Sequence, residues 1–546
     1  MHIQWRLNRQ WLIVVTAAFL LATANGTFFS RVVDFYPLRE HFGFVVSLMV
    51  LSGALLVLVM GVLSIVVPVK VVTGFFILVA AFTGYFTDSL GTIIDATMLR
   101  NVLLTDFSEA LELLSAGLVL RLIVLGVLPV CLIYLVPLRR ASRWREVRNT
   151  AILLTVALAL VPLNLFSAND HYASFAREHR ELRYYTNPLY PLYAAFRVAQ
   201  HGVQAAAEAG IESVASHAAV APDDRERELV VVVVGETARA DHFSLNGYHR
   251  ETTPYLARTH NIISYRHITS CGTATAVSVP CLFSFFGHED FDVDTALRTE
   301  NVLDVLARAG VHVLWRDNNS DSKGVATRVP YEDFRTAERN PVCDVECRDV
   351  GMLAGLQEYV DSMADGDILI VLHQMGSHGP AYFKRYPREF AKFQPECRTV
   401  EFSACTPEMI VNAYDNSILY TDYFLSRVID FLKQNDSRFE TTMVYVSDHG
   451  ESLGEHGLYL HGLPYLVAPE EQTHVPLVIW AGRHSDLDYA GSKMMENVPN
   501  SHDALAYMLL RLFEIRSDLG DPGLPVLVKT TEAHGPQEVL SRTSHR

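Results

Sequence analysis

Five long apolar runs within the first 168 residues decide most of what this chain can become. They extend from about Trp11 to Phe29, Phe44 to Val67, Val71 to Phe86, Ala116 to Val136 and Thr150 to Phe166. Roughly 20 apolar residues in a helix cross the hydrocarbon core of a bilayer, and a helix satisfies its own backbone N–H and C=O groups where water cannot. The sequence therefore predicts a transmembrane domain of five helices over residues 1–168. A cleaved signal peptide would account for the first run and leave the other four unexplained.

Basic residues orient these spans. Arg6 and Arg9 precede the first, Lys70 lies between the second and third, and Arg139, Arg140, Arg143, Arg145 and Arg148 fill the loop between the fourth and fifth. Flanks rich in Lys and Arg stay in the cytoplasm. An odd number of spans then exports everything that follows. Residues 169–224 read as an interfacial bridging helix and linker: Tyr184, Tyr185, Tyr190, Tyr193 and Phe196 crowd around Pro188 and Pro191, as amphipathic rings do at headgroup level. The polar connection from Thr87 to Ser115 falls at the outer face, either as an amphipathic surface helix or as part of a substrate site.

Cysteine placement agrees with export. Cys131 lies in an apolar run, and the other six fall in local pairs, Cys271 with Cys281, Cys343 with Cys347 and Cys397 with Cys405. Such pairs read as disulfides, which persist in an oxidising compartment. The net charge of −16 sits mostly on the part after residue 225. Without a clustered basic surface, a nucleic-acid partner is excluded.

From Pro222 onward, short β-branched runs alternate with helical stretches, the pattern of an α/β domain over 225–546 with a mostly parallel sheet covered by helices on both faces. The clearest runs are Leu229 to Val234, Val311 to Trp315, Ile368 to Leu372, Thr442 to Val446 and Pro476 to Trp480. They lead into Glu236, into Asp317, Asn318 and Asn319, into His373 and His378, and into Asp448 and His449. Ligands of open α/β sheets bind beyond the carboxyl ends of the strands. Carboxylates and imidazoles gathered there form a metal-ligating set that suits zinc ahead of manganese. His456, His461 and His474 follow Asp448 closely and enlarge the set.

A nucleophile for such a site is available in the stretch from Ser270 to Ser278, whose small residues and hydroxyls precede a helical run. A metal lowers the pKa of a coordinated alcohol and so activates it. Chemistry alone leaves Thr273 and Thr275 as equal candidates.

At these residues the sequence resembles the phosphoethanolamine transferases that modify lipid A in Gram-negative bacteria, a branch of the alkaline phosphatase and sulfatase superfamily. The resemblance spans nearly the whole chain and is carried by VVGETARADHFSLNGY from Val233, SCGTATAVSVPCLFS from Ser270, DNNSDSKGV from Asp317, GSHGPAYFKRYP from Gly376 and SDHGESLGEHGLYLHG from Ser447. It implies an alkaline phosphatase-like, zinc-dependent periplasmic catalytic domain anchored in the inner membrane and acting as a monomer. Glu236, Thr275, Asp448 and His449 would hold the catalytic zinc, with Thr275 also the nucleophile. His378 and His461 would meet the transferred phosphate or a second zinc, and His373, Asn319, Ser320 and Lys323 would line the donor pocket. Asn101, Thr105 and Glu109 match a stretch that approaches the lipid substrate.

The donor implied is phosphatidylethanolamine and the acceptor lipid A, with resistance to cationic peptides such as polymyxin as the consequence. Transfer to a core sugar or a protein, transfer of another head group such as glycerol phosphate, and a metal-dependent phosphodiesterase are the rival readings. A sulfatase would carry a CxPxR-like stretch near Thr275, and there is none. Two departures from the family pattern stand out. Ser322 and Ala326 occupy positions where several members have a disulfide, which predicts a looser turn around Lys323, and His456 is an extra histidine with the chemistry of an accessory ligand. His474 is expected to pack or hydrogen-bond near the site.

Overall fold

The structure is a computed structural model that describes residues 6–103, 111–139, 141–205, 210–221 and 226–519. Thr105, Glu109 and Arg140 lie outside the described residues. The chain forms two compact units, residues 1–99 with 114–202, and residues 100–113 with 203–546.

Among the described residues of the first unit, four helices are long and apolar enough to span a bilayer: Leu38–Val66, Val69–Leu90, Ala116–Leu135 and Arg143–Ser167. The first apolar run of the sequence is not one straight helix. It is the pair Arg9–Ala24 and Gly26–Phe35, bent by 66°. Asn25 stands at the break and makes it tolerable in an apolar setting. Its Nδ2 donates to the carbonyls of Leu20 and Asn187, and its Oδ1 accepts from the Asn187 N–H at 2.9 Å. Backbone groups freed by a kink are thus paired again inside the protein. Large apolar side chains point outward from the helices, among them Val66 (88% exposed), Leu135 (78%) and Phe166 (82%). A water-soluble bundle would bury them; a lipid-facing one does not need to.

The second unit is built on an eight-stranded sheet. Its strands are β1 (Glu228–Gly235), β2 (Ile262–Thr269), β3 (His312–Asp317), β4 (Tyr331–Asp333), β5 (Ile368–His373), β6 (Glu440–Ser447), β7 (His474–Ala481) and β8 (Asn500–Ser501), in the spatial order β8-β2-β7-β6-β1-β5-β3-β4. The five apolar runs singled out in the sequence are all strands of this sheet. Every residue of β1, β5 and β6 is buried, as expected of central strands covered on both faces. Val230, Val232 and Val234 join one core cluster with residues 302–306 and 504–513, while the 29-residue helix Pro407–Asn435 packs against β6 with no residue in that cluster.

The sheet is mixed, with five of its seven strand pairings parallel. β7 runs antiparallel to both β6 and β2, and the remaining pairings are parallel. The cause lies in the connection after β6. Residues 448–473 stay at the carboxyl edge, where Asp448 and His449 are needed, so the chain re-enters the sheet from that edge and runs back.

Leu189–Ala205 is a helix, and Ala219 and Val220, in the stretch read as a linker, pair with Arg516 and Ile515 in the second unit. The three expected disulfides, Cys271–Cys281, Cys343–Cys347 and Cys397–Cys405, are formed.

Candidate metal-centred active site

Register brings the ends of the central strands level. Val234 of β1 lies opposite His373 of β5, Gly235 opposite Ser447 of β6, and Asp317 of β3 opposite His373. The residues that follow these ends therefore meet at one edge. Glu236, Asp448 and His449 are fully buried, and their ligand atoms all lie within 4.8 Å of one another. Glu236 also groups in this way with His378 and His461, so one carboxylate is common to two potential metal sites.

His449 shows how the set is aimed. Its Nδ1 lies 2.9 Å from the Gly450 carbonyl and can only donate to it, which leaves the Nε2 lone pair free. Nε2 faces Asp448 Oδ2 at 3.3 Å, Glu236 Oε1 at 3.5 Å and Thr275 Oγ1 at 3.3 Å. Asp448 Oδ2 is buried without a hydrogen-bond donor. Two carboxylates and an imidazole lone pair converge, with few protons to satisfy them. That arrangement fits a divalent cation, and oxygen plus imidazole donors fit zinc. The electrostatics agree. Burial, followed by Asp448, pushes the Glu236 carboxyl up to about 8, and burial pushes Asp448 up to about 7. Burial, with His461 next, lowers His449 to about 4.

The two candidate hydroxyls have different surroundings. Thr273 Oγ1 donates to the Leu463 carbonyl at 2.6 Å. Thr275 opens the helix Thr275–Leu282, and its Oγ1 lies 3.3 and 3.5 Å from the two Glu236 carboxylate oxygens. It is delivered by β2, a strand that sequence reading passed over because Arg266, His267 and Thr269 are exposed and interrupt its apolar pattern. His502 ties that loop to β6: its Nδ1 accepts from the Cys271 N–H at 3.2 Å while its Nε2 donates to the Ser447 carbonyl at 2.9 Å.

Around this centre, Asn319 Nδ2 donates to Glu236 Oε2 at 2.8 Å and to the Gln374 carbonyl. Ser320 donates to Asn319 Oδ1, and Lys323 Nζ donates to the Ser320 carbonyl and hydroxyl at 2.8 and 2.7 Å. The Ala326 N–H donates to Ser322 Oγ at 3.1 Å, and both residues are buried. His373 bonds Asp317 through Nδ1 at 3.0 Å, leaving a buried Nε2 without a partner. Burial favours its neutral form, but Asp317, then Glu236 and Asp448, outweigh burial and raise its pKa. His461 is oriented by Glu451 at 2.8 Å, and its ring lies 4.3 Å from that of His449.

Two histidines are placed elsewhere. His456 is exposed on a tight turn, with a positive φ of 53°, and joins none of the metal-ligating groups among the described residues. His474 starts β7, where its Nε2 bonds the Arg266 carbonyl and its ring stacks on His267, in keeping with a packing role. Asn101 sits half-buried on the helix Ala96–Leu103. Sequence reasoning missed Asp349, Glu451 and His502 as supports. Glu451 lies within a quoted motif, and the other two carried no local signal.

Residues 228–515 match the Sulfatase family, and residues 53–203 match the family described as Phosphoethanolamine transferase EptA/EptB. The chain is 44% identical over 520 residues to the phosphatidylethanolamine transferase Mcr-1 of Escherichia coli, covering 93% of this chain and 95% of that one. It is 29% identical over 437 residues to the Kdo(2)-lipid A phosphoethanolamine 7''-transferase of Escherichia coli K12, with 75% of each chain covered. Among solved structures, the integral membrane lipooligosaccharide phosphoethanolamine transferase A of Neisseria meningitidis superposes with a TM-score of 0.90 at 34% identity, covering 96% of this chain and 99% of that one.

Proposed function

This chain belongs to the phosphoethanolamine transferase family, a branch of the alkaline phosphatase and sulfatase superfamily, and we propose that it moves phosphoethanolamine from phosphatidylethanolamine onto lipid A through a covalent adduct on Thr275. The donor follows that of the relative 44% identical to it, and the acceptor follows those of the lipid A and lipooligosaccharide enzymes it resembles. The observation that carries the reading is the placement of the Thr275 hydroxyl, buried 3.3 Å from both His449 Nε2 and a Glu236 carboxylate oxygen.

The bent first pair is counted as one crossing, which gives five spans and a periplasmic second unit. The spacing of basic residues and the three disulfides support that orientation. Glu236, Asp448 and His449 would hold one zinc together with the neighbouring Thr275 hydroxyl, and Glu236 with His378 and His461 would offer a second position. Bound zinc supplies positive charge that lowers the pKa of the hydroxyl and offsets charge developing on the phosphoryl oxygens.

The residues do the rest. Glu236 accepts the Thr275 proton as Oγ1 attacks phosphorus, and the bond from phosphorus to the diacylglycerol oxygen breaks. Diacylglycerol leaves with a proton from a neighbouring histidine. In the second half an oxygen of a monoanionic lipid A phosphate attacks the same phosphorus and gives its proton to that histidine, the bond to Thr275 breaks, and the hydroxyl recovers its proton from Glu236. His373, held toward its charged form by Asp317, stabilises the phosphoryl group, and Lys323 anchors the donor pocket.

Incubating the purified protein with phosphatidylethanolamine and measuring its intact mass tests this. Wild type is expected to gain one phosphoethanolamine unit and Thr275→Ala none, with zinc retained. An adduct on Thr275→Ala would remove the assignment. Lipid A from cells expressing the chain is expected to gain phosphoethanolamine and those cells to bind less polymyxin; unmodified lipid A would redirect the acceptor to a core sugar or protein.

A further inference from the structure

Arg385 is a guanidinium with only 2% of its side chain exposed, surrounded by two carboxylates and a carbonyl. One terminal nitrogen pairs with Glu346, the other with Glu112 at 2.5 Å, and Nε donates to the His378 carbonyl at 2.6 Å. Lys384 takes the second oxygen of Glu112 at 2.7 Å. Glu112 comes from residues 100–113, a segment that lies in sequence between two candidate spans yet belongs to the second unit. The start of that segment is tied to the same unit by Arg100 and Asp294, 2.5 Å apart. Glu346 comes from the loop closed by Cys343 and Cys347. A buried ion network of this kind is costly to break, because removing one partner leaves an uncompensated charge.

His378 is the opposite case. Its Nδ1 is buried with no hydrogen-bond partner, and its ring lies 5.5 Å from that of His461. The ring is aimed through its backbone, whose N–H reaches the Met375 carbonyl at a long 3.3 Å. The bond from Arg385 is the shorter tie.

We propose that Arg385, clamped by Glu112 and Glu346, is a positioning residue for His378, so that Glu112 helps set the geometry at the transferred phosphate. The inference rests on the transfer reading and extends it to a part of the chain remote in sequence from the metal ligands. Charge-assisted bonds are short and directional, which suits them to fixing a peptide group. Misplacing a group by about 1 Å can cost on the order of 100-fold in rate.

The test uses full-length protein in detergent with a fluorescent phosphatidylethanolamine, reading diacylglycerol release. Arg385→Lys keeps a cation between the carboxylates but has no Nε–H for the His378 carbonyl. It is expected to lower kcat on the order of 10-fold with little change in KM for the donor and with zinc content intact. Glu112→Gln is then measured alone and combined with His378→Ala. If Glu112 acts through His378, its effect largely disappears in the His378→Ala background; equal losses in both backgrounds overturn the proposal. Should His378→Ala be too slow to follow, the imidazole NMR signal of His378 decides: Glu112→Gln must shift it and leave that of His474 in place, and an unmoved signal is a refutation. Release by wild type with unaffected variants sinks only this inference, whereas no release by wild type sinks the transfer reading.

Discussion

Gly376 approaches Glu236 so closely that a Cβ there would stand 2.8 Å from the Glu236 carbonyl oxygen and 3.0 Å from its amide nitrogen. Its φ is +53°, a conformation costing an L-residue roughly 1–2 kcal/mol. The next residue, Ser377, donates its N–H to that same carbonyl at 3.0 Å. Asp349 holds the turn from the other side by accepting from the N–H groups of Met375 and Gly376. Gly376→Ala must therefore push the Glu236 backbone. Expected are a loss of zinc affinity on the order of 10-fold or more and a lower Tm, read by metal titration and thermal melting. An unchanged affinity would show that the turn yields without moving the ligand.

The metal-free centre should respond to pH in a defined direction. Glu236 is pushed up to about 8 and Asp448 to about 7, chiefly by burial, whereas His449 is lowered to about 4. A folded-state carboxyl pKa above its unfolded value of about 4 contributes stability that is complete below about pH 4 and lost as pH rises through about 7 to 8. His449 acts in the opposite sense below about pH 6.5, so the zinc-free protein should melt at progressively lower temperature between about pH 6.5 and 8.5. Zinc requires both carboxylates ionised, so its affinity should rise over the same window, with proton release on binding at pH 6 and almost none at pH 9. Calorimetry in buffers of different ionisation enthalpy measures that release; equal proton counts at both pH values would contradict the assignment.

Much of this centre was legible because parallel strands place their carboxyl ends together. β1, β3, β5 and β6 were each visible as apolar runs, and Glu236, Asn319, His373 and Asp448 follow them directly. Thr275 was harder. Its strand carries exposed Arg266 and His267, and only resemblance separated it from Thr273. Supports such as Asp349 and His502 come from distant segments and have no local pattern, so nothing short of the fold could reveal them.

Asp317 acts on the centre through His373. Asp317→Asn removes the charge that outweighs burial, so His373 would become neutral across the working range. We expect kcat to fall about 10- to 100-fold, zinc content to be preserved and the remaining activity to decline at lower pH than in wild type. A pH–rate profile of the same shape as wild type would place His373 outside the reaction.

The Ser322 hydroxyl accepts the Ala326 N–H. The surrounding turn has other ties, since Asn301 Nδ2 donates to the Val325 carbonyl and Lys323 to Ser320. Ser322→Ala should therefore cost only about 1 kcal/mol in stability and leave KM for the donor nearly unchanged. A large rise in KM would mean that the single hydrogen bond, not the buried turn, positions Lys323.

Thr273 offers the sharpest contrast with Thr275. Its hydroxyl is committed to the Leu463 carbonyl at 2.6 Å, bridging the nucleophile loop to residues beyond the metal motif. Thr273→Val keeps the shape and removes that bond, leaving a buried carbonyl without a donor. A loss of about 1–3 kcal/mol in stability follows, yet the adduct should still form on Thr275. Peptide mapping of the modified protein locates the phosphoethanolamine: its presence on Thr275 in Thr273→Val, together with its absence from Thr275→Ala, separates a structural hydroxyl from a nucleophilic one. The reverse result would exchange their roles and require Glu236 to act on a residue whose hydroxyl is bonded to the Leu463 carbonyl.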